Sequence, residues 1–330
     1  MTDMLDPDSG PGGLVRRIPP SSPGKRVDLK MCRLHIHPLK KCRCRSWGLL
    51  NMNAVKVGKS KKARTGTMSS TLRCFKVLEL LAEEPFELSV SDTAERLSMP
   101  RASAHRLCAT LAAGGFIEPV PASKRYRLTA KSLWVGSGYL RHSAVYRAAF
   151  FPMQTLAKQI PGTTQLGILS EGKVLFIHSG GYPGTTDAFA DVGLQRALHA
   201  TASGKLFLAD MPLDEVERLM AHGVERYTER TLVTFAQIKE ELLQIAAKGY
   251  AVNDEELLPG FYYLAAPVLD ATGATVGTIS ITMSAELAHS GNVASHVALL
   301  CEAARKTSLQ LGYNPLSQVA QWKRSKLLPR

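Results

Sequence analysis

No apolar run in the 330 residues approaches the roughly 18 needed to span a bilayer, so a membrane-embedded chain is not expected. The N-terminus lacks the apolar core of a signal peptide, which argues against secretion and for a cytoplasmic protein. Acidic residues are scarce in two places. None occurs between Glu95 and Glu118, and residues 1–67 hold 4 against 15 Lys and Arg. Residues 68–131 hold 7 acidic and 9 basic residues, and residues 132–330 hold 17 of each. The net charge of +13 therefore resides mostly in the first 67 residues, and a nucleic-acid argument must rest on local clustering instead. Catalytic frames are missing as well. No Gly-x-Ser-x-Gly surrounds Ser203. Thr201-Ala202-Ser203-Gly204-Lys205 ends like a phosphate loop but lacks the loop's first glycine. The six cysteines form no paired pattern. Cys74, Cys108 and Cys301 lie on apolar helix faces and read as small core residues. Cys32, Cys42 and Cys44 lie near His35 and His37, but their spacings do not match a zinc site, so neither metal nor cofactor is expected.

What is present centres on Leu88 to Leu111, which reads as two short helices around a tight turn. Ser91 is the expected cap of the first, with Ala94 and Leu97 on its apolar face. Ser98-Met99 breaks the pattern, and Pro100 suits the first position of the next helix. Ala104, Leu107, Cys108 and Leu111 then make an apolar back. The front carries Arg101, Ser103, His105 and Arg106, a cationic, hydrogen-bonding surface suited to the major groove of DNA. Gly114-Gly115 ends this helix. Phe116–Val120 and Arg125–Leu128 read as a two-stranded wing, with Lys124, Arg125 and Arg127 placed to meet phosphate. The plainer alternative for the wing is a solvated hairpin with incidental charge.

The spacing implies five segments. Residues 1–67, rich in Pro, Gly, Lys and Arg, are an expected disordered tail that adds phosphate attraction. They read equally as a translated upstream region, with Met68 the initiator. Residues 68–130 form a winged helix-turn-helix, opening with a helix over Ser70–Ala82 whose buried stripe includes Leu72, Phe75, Leu78 and Leu81. Residues 131–146 are a linker helix with Leu133, Trp134, Tyr139 and Leu140, able to pack on the DNA-binding domain or to pair two chains. Residues 147–313 open with a helix over Arg147–Gln159 and turn to strands at 163–170, 173–179, 250–253, 261–269 and 275–283. Helices over 212–221, 234–248 and 293–311 accompany them, and Phe189–Gly193 leads into His199–Asp210. Residues 314–330 are a frayed tail. The fold class is α+β, with helices packed on an antiparallel sheet.

The second domain invites three functional readings. His199, Ser203 and Lys205 with the acidic run Asp254-Glu255-Glu256 suggest an enzyme for a small carboxylic acid or ester, its helix-turn-helix a vestige. The plainer account makes His199 a hydrogen-bonded loop anchor, Lys205 a solvated early-helix residue and the acidic run a solvated loop. A binding pocket fits better. Ser280 and Thr282 alternate with Ile279 and Ile281, so both hydroxyls share one sheet face. Tyr262 and Tyr263 point to opposite faces, so only one can join them. A regulator that binds no ligand is the third reading.

From Ser70 to Tyr313 the chain resembles the IclR family of bacterial transcription regulators. LRCFKVLELLAEE, DTAERLSMPRASAHRLCATLAAGGFIE, KRYRLT, VGLQRALHATASGKLFLAD, KGYAVNDEE and LPGFYYLAAPVLDATGATVGTISI carry the likeness in order and spacing. The resemblance implies a winged helix-turn-helix, a linker helix and a C-terminal PAS/GAF-like effector-binding domain. It also implies homodimers or homotetramers on palindromic double-stranded operators, acting as repressors or activators. The effectors it implies are small metabolites, commonly carboxylates or aromatic acids. Position by position, the recognition surface falls on Arg101, Ser103, His105 and Arg106, with Ala102 replacing a frequent Ser. The effector contacts fall on Ala202, Asn253, Tyr263, Ser280 and Thr282. Asn253 stands where an Asp is frequent, and Tyr263 where a smaller residue such as Cys can stand.

Overall fold

The computed structural model describes residues 70–83, 86–181, 192–291 and 293–316. The basic tail with Cys32, Cys42, Cys44, His35 and His37, the lead-in Phe189–Asp191 and the last 14 residues lie outside the described residues.

Helix α1 (Ser70–Ala82) buries Val77 and Leu81, whereas Leu72 and Phe75, placed in its core stripe by spacing, are about half exposed. Helix α2 (Val90–Arg96) is capped by Ser89, not Ser91. Ser89 Oγ accepts from the Asp92 N–H, and the Asp92 carboxylate accepts from the Ser89 N–H. The reason lies three residues on: a cap at Ser91 would face Ala94, which can return no hydrogen bond, whereas Ser89 faces Asp92 and closes a capping box. Pro100 sits just outside helix α3 (Arg101–Ala113) in extended backbone, and its carbonyl accepts from Ser103 and Ala104. Strands β1 (Ile117–Val120) and β2 (Arg125–Leu128) form the expected hairpin, and Leu88 pairs with Tyr126 along the far side of β2. Val77, Leu81, Leu88, Leu107, Cys108, Leu111 and Ile117 close this core.

Helix α4 (Ala130–His142) ends at Ser143, three residues before the expected break at Tyr146. Ser143 closes α4 and also caps helix α5 (Ala144–Ala157), its hydroxyl accepting from the Tyr146 N–H. No residue of α4 is buried. Leu133 and Trp134, two of the side chains expected to pack on the first domain or to pair two chains, are 73% and 66% exposed, and Leu140 packs against the core of the sheet domain.

The remaining strands are β3 (Thr163–Ser170), β4 (Lys173–Gly181), β5 (Gln195–Arg196), β6 (Ala251–Asp254), β7 (Phe261–Leu269) and β8 (Thr275–Ser284). They form one antiparallel sheet in the order β5-β4-β3-β8-β7-β6. Helices α6 (Ala202–Ala209), α7 (Leu213–Met220), α8 (Phe235–Lys248), α9 (Ala285–Ser290) and α10 (Val293–Gln310) accompany it. Strand alternation divides the sheet's side chains between two cores. Leu166, Ile168, Leu264, Ile279 and Ile281 pack with α5 and α10. Val174, Phe176, Ala251 and Ala265 pack with α6 and α8. Gln165, Ser280, Thr282, Tyr263 and Asn253 share the second face, whereas Thr164 and His178 lie on the first.

The candidate nucleic-acid interface and the candidate effector site

Helix α3 buries Ala104, Leu107, Cys108 and Leu111 and exposes Arg101, Ala102, His105 and Arg106, with Ser103 at the boundary. Arg106 Nη2 lies 3.4 Å from Ser103 Oγ. Arg101, His105 and Arg106 make no ion pair among the described residues. Their donors are therefore available to phosphates or base edges.

The wing differs. Arg125 Nη1 lies 3.1 Å from Asp92 Oδ2 and donates to the Glu87 carbonyl. Arg127 is held 2.8 Å from Glu118 Oε1 on the paired strand. The Asp92 carboxyl is kept below its ordinary range by the Ser89 N–H, with Arg125 adding to the effect. Lys124, in left-handed backbone at the hairpin turn, has no carboxylate partner among the described residues. The three wing cations expected to meet DNA are thus unequal. Two already balance acids of their own domain.

In the second domain, register brings the expected effector residues into two adjacent rows. Thr163, Thr282, Tyr263 and Asn253 are successive cross-strand partners on β3, β8, β7 and β6. Ser179, Gln165, Ser280, Ala265 and Ala251 form the neighbouring row from β4 to β6. Ser280 Oγ and Thr282 Oγ1 both donate to Gln165 Oε1, at 3.3 and 3.1 Å. Sequence reading missed Gln165, although a glutamine two residues from Thr163, and so on the same face of the strand, was the available signal.

Ala202 is the first residue of α6. Its cap, Thr201, accepts from the Gly204 N–H at 3.0 Å. The first N–H groups of a helix have no intrahelical acceptor and favour an anion, so Ala202 and Ser203 aim donors past the helix end. Asn253 is fully buried. Its amide donates to the Ala200 carbonyl, and its oxygen accepts from the Glu256 N–H. It ties the entry of α6 to the end of β6. Tyr263, half-buried, stands 6.4 Å from Phe261, centroid to centroid.

His199, Lys205 and the acidic run are otherwise engaged, whereas the Ser203 hydroxyl is buried without a hydrogen-bond partner among the described residues. Lys205 is not solvated: it is 1% exposed, with Nζ 2.6 Å from Glu256 Oε1 and 2.9 Å from Glu241 Oε1. Glu256 is buried too, so the acidic run is only partly a solvated loop. Burial pushes the Glu256 carboxyl up, against the pull of Lys205. Asp254 pairs with Arg230 and His289, and Glu255 with Arg230. His199 is the loop anchor, its Nε2 at 2.8 Å from the Glu225 carbonyl oxygen. Gly204 serves packing: a Cβ there would stand 2.2 Å from the Leu198 carbonyl oxygen. No helix among the described residues is long and apolar enough to cross a membrane.

Comparison with known proteins identifies both domains. The IclR helix-turn-helix domain matches residues 70–121, and the bacterial transcriptional regulator IclR C-terminal domain matches residues 137–309. The transcriptional regulator KdgR of Escherichia coli is 30% identical over 250 residues, covering 75% of this chain and 94% of that one. The regulator BhcR of Paracoccus denitrificans is 33% identical over 219 residues, covering 66% and 78%. The crystal structure of an IclR transcriptional regulator from Alicyclobacillus acidocaldarius superposes with a TM-score of 0.67 at 26% identity, covering 75% of this chain and all of that one.

Proposed function

The chain belongs to the IclR family of transcription regulators, and on that premise we propose how its two sites work together. It is a DNA-binding regulator with a C-terminal effector-binding domain, not an enzyme. The observation that carries the reading is α3, with its buried apolar back and its acid-free front of Arg101, His105 and Arg106. Arg101 and Arg106 read guanine edges or hold phosphates in the major groove, with Ala102, Ser103 and His105 fitting the surface around them. Lys124 meets the backbone from the wing, and Arg125 and Arg127 join it only by releasing Asp92 and Glu118.

Helix α4 supplies the symmetry. Leu133, Trp134 and Tyr139, with Phe151 of α5, leave an apolar surface that one copy does not cover. A second copy covers it, as a homodimer or within a homotetramer, and places two α3 helices in successive major grooves of a palindromic operator. Work on chromosomal DNA puts the protein in the cytoplasm.

The effector is a small carboxylate held across the polar rows. Its anionic end meets the N–H groups of Ala202 and Ser203. Ser280 and Thr282 spend their hydrogens on Gln165, so they offer oxygen lone pairs to a ligand donor. Tyr263 borders the site, and Asn253 shapes it by holding Ala200. The ligand shifts operator affinity only by binding one arrangement of the two reading heads more tightly than the other.

The test is a gel-shift titration of the full-length chain on the DNA upstream of its own gene, with excess nonspecific competitor at near-physiological salt. A discrete complex that R106A weakens supports the reading. Unchanged binding by R106A removes the role of α3.

A further inference from the structure

The polar face of the sheet carries a buried hydroxyl, that of Ser179, which the effector residues assigned so far do not include. Val174 and Phe176 face α6 and α8, so strict alternation along β4 would send residue 178 to that face and Ser179 to the other. The ladder does not alternate strictly. Gly167 pairs with Phe176 while Leu166 pairs with His178, which leaves Ile177 as an inserted residue. Ile177 joins the core under α5 and α10. His178 turns its ring toward Tyr146 and Phe150 of α5, with centroids at 5.6 and 6.1 Å. Ser179 is thereby delivered to the α6 face beside its partner Gln165. A bulge next to a functional site commonly re-aims a side chain in this way.

Ser179 is 2% exposed, and its Oγ is a buried side-chain atom with no hydrogen-bond partner among the described residues. Buried hydroxyls are seldom left so, and one that is calls for an explanation. The neighbouring groups indicate what would satisfy it. Ser179, Gln165 and Ser280 lie in one cross-strand row, so the backbones of Ser179 and Ser280 are two strand spacings apart, roughly 9–10 Å. A two-carbon acid does not reach both. Ser280 and Thr282 act as acceptors, and Ser179 can donate or accept. The matching ligand carries several hydroxyls along a chain, with its carboxylate at the opposite end on α6. A flat aromatic acid has no such series of hydroxyls.

We propose that Ser179 contacts the effector, and that the effector is a polyhydroxylated aliphatic carboxylate lying across β8, β3 and β4. The proposal rests on the reading of this face as the effector site. It goes further by naming a contact and a ligand class.

The test titrates the full-length protein with D-gluconate, glyoxylate and benzoate, by calorimetry and by thermal shift, in wild type, S179A and S280A. D-gluconate is expected to bind most tightly, and S179A to weaken it about tenfold, the effect of one lost hydrogen bond to a buried ligand. S179A alone should melt at the wild-type temperature, since the hydroxyl it removes has no hydrogen-bond partner among the described residues. If S280A weakens D-gluconate and S179A does not, the Ser179 contact is overturned while the effector face stands. Tighter binding of glyoxylate or benzoate, or no binding of any of the three, overturns the ligand class. Equal D-gluconate affinity in all three proteins overturns the effector face itself.

Discussion

Lys205 Nζ lies 2.6 Å from Glu256 Oε1 and 2.9 Å from Glu241 Oε1, and so ties α6 to both the loop after β6 and α8. The Glu256 backbone N–H is in turn held by Asn253, whose amide holds the Ala200 carbonyl before α6. The ion pair therefore sets where the first turn of α6 sits, although it touches no ligand. Replacing Lys205 by Met leaves two carboxylates facing each other without a cation. Breaking a buried pair from one side costs about 3–5 kcal/mol. K205M should lower the unfolding free energy of the full-length protein, read from denaturant melts, by that order, while E256Q, which keeps an acceptor for Lys205, should cost far less. Equal losses in the two variants would mean that packing, not charge, holds this corner.

The same pair predicts a pH dependence. Burial raises the folded-state pKa of Glu256 above its ordinary 4.5. The proton is bound more tightly in the folded state, so the stabilisation linked to it is full below that ordinary value. It is lost as pH rises through the raised one. Thermal melts of wild type and E256Q from pH 4 upward should diverge over that interval, the wild type losing stability relative to the variant. Parallel curves would contradict the raised value.

Much of this was legible in the chain, and the exceptions have physical causes. The ends of β3, β7 and α1 were readable to the residue, because alternation and helical spacing are local properties. Parity placed Ser280 and Thr282 together for the same reason. Lys205 was misread as solvated because its partners lie 36 and 51 residues away, and no local pattern announces a long-range ion pair. Ser179 was invisible because a single inserted residue, Ile177, reverses the parity of everything after it. Strands as short as β5, with two residues, and helices as short as α9, with six, carry too few residues to show a period.

The cap of α2 separates two nearby serines. Ser89 Oγ accepts from the Asp92 N–H, and loss of such a cap costs about 1 kcal/mol. S89A should destabilise the winged helix-turn-helix by that amount, and S91A by less than about 0.5 kcal/mol, as an ordinary surface change. Amide hydrogen exchange in α2 reads the difference directly. Faster exchange in S91A than in S89A would restore the cap to Ser91.

Wing electrostatics predict an increase in binding from removing an acid. Glu118 holds Arg127 at 2.8 Å, so E118Q releases a cation beside the expected phosphate path. Each added phosphate contact changes the logarithmic salt slope by about 0.9. E118Q should therefore bind DNA more tightly at low salt, with a slope steeper by about one, for specific and nonspecific sequences alike. R127A should leave the wild-type slope nearly unchanged, because its charge is already balanced. A loss of slope in R127A equal to that in a K124A control would show that the Glu118 pair opens on DNA.

The exposed face of α4 gives the last prediction. Trp134 is 66% exposed and Tyr139 53%, on a helix with no buried residue of its own. Most helical stability in proteins comes from packing of an apolar face, and among the described residues Leu140 is the one apolar side chain of this helix that packs against a core. Two charges on that face, as in W134E/Y139E, should convert the assembly to monomers in sedimentation velocity. The monomer's melting transition should survive in the sheet domain, whose cores draw only Leu140 from α4 and keep it in this variant. Operator binding should fall further than for any single recognition-helix substitution, because both half-sites then depend on independent encounters. Retention of the wild-type sedimentation coefficient would move the interface elsewhere and leave the apolar face of α4 without a partner.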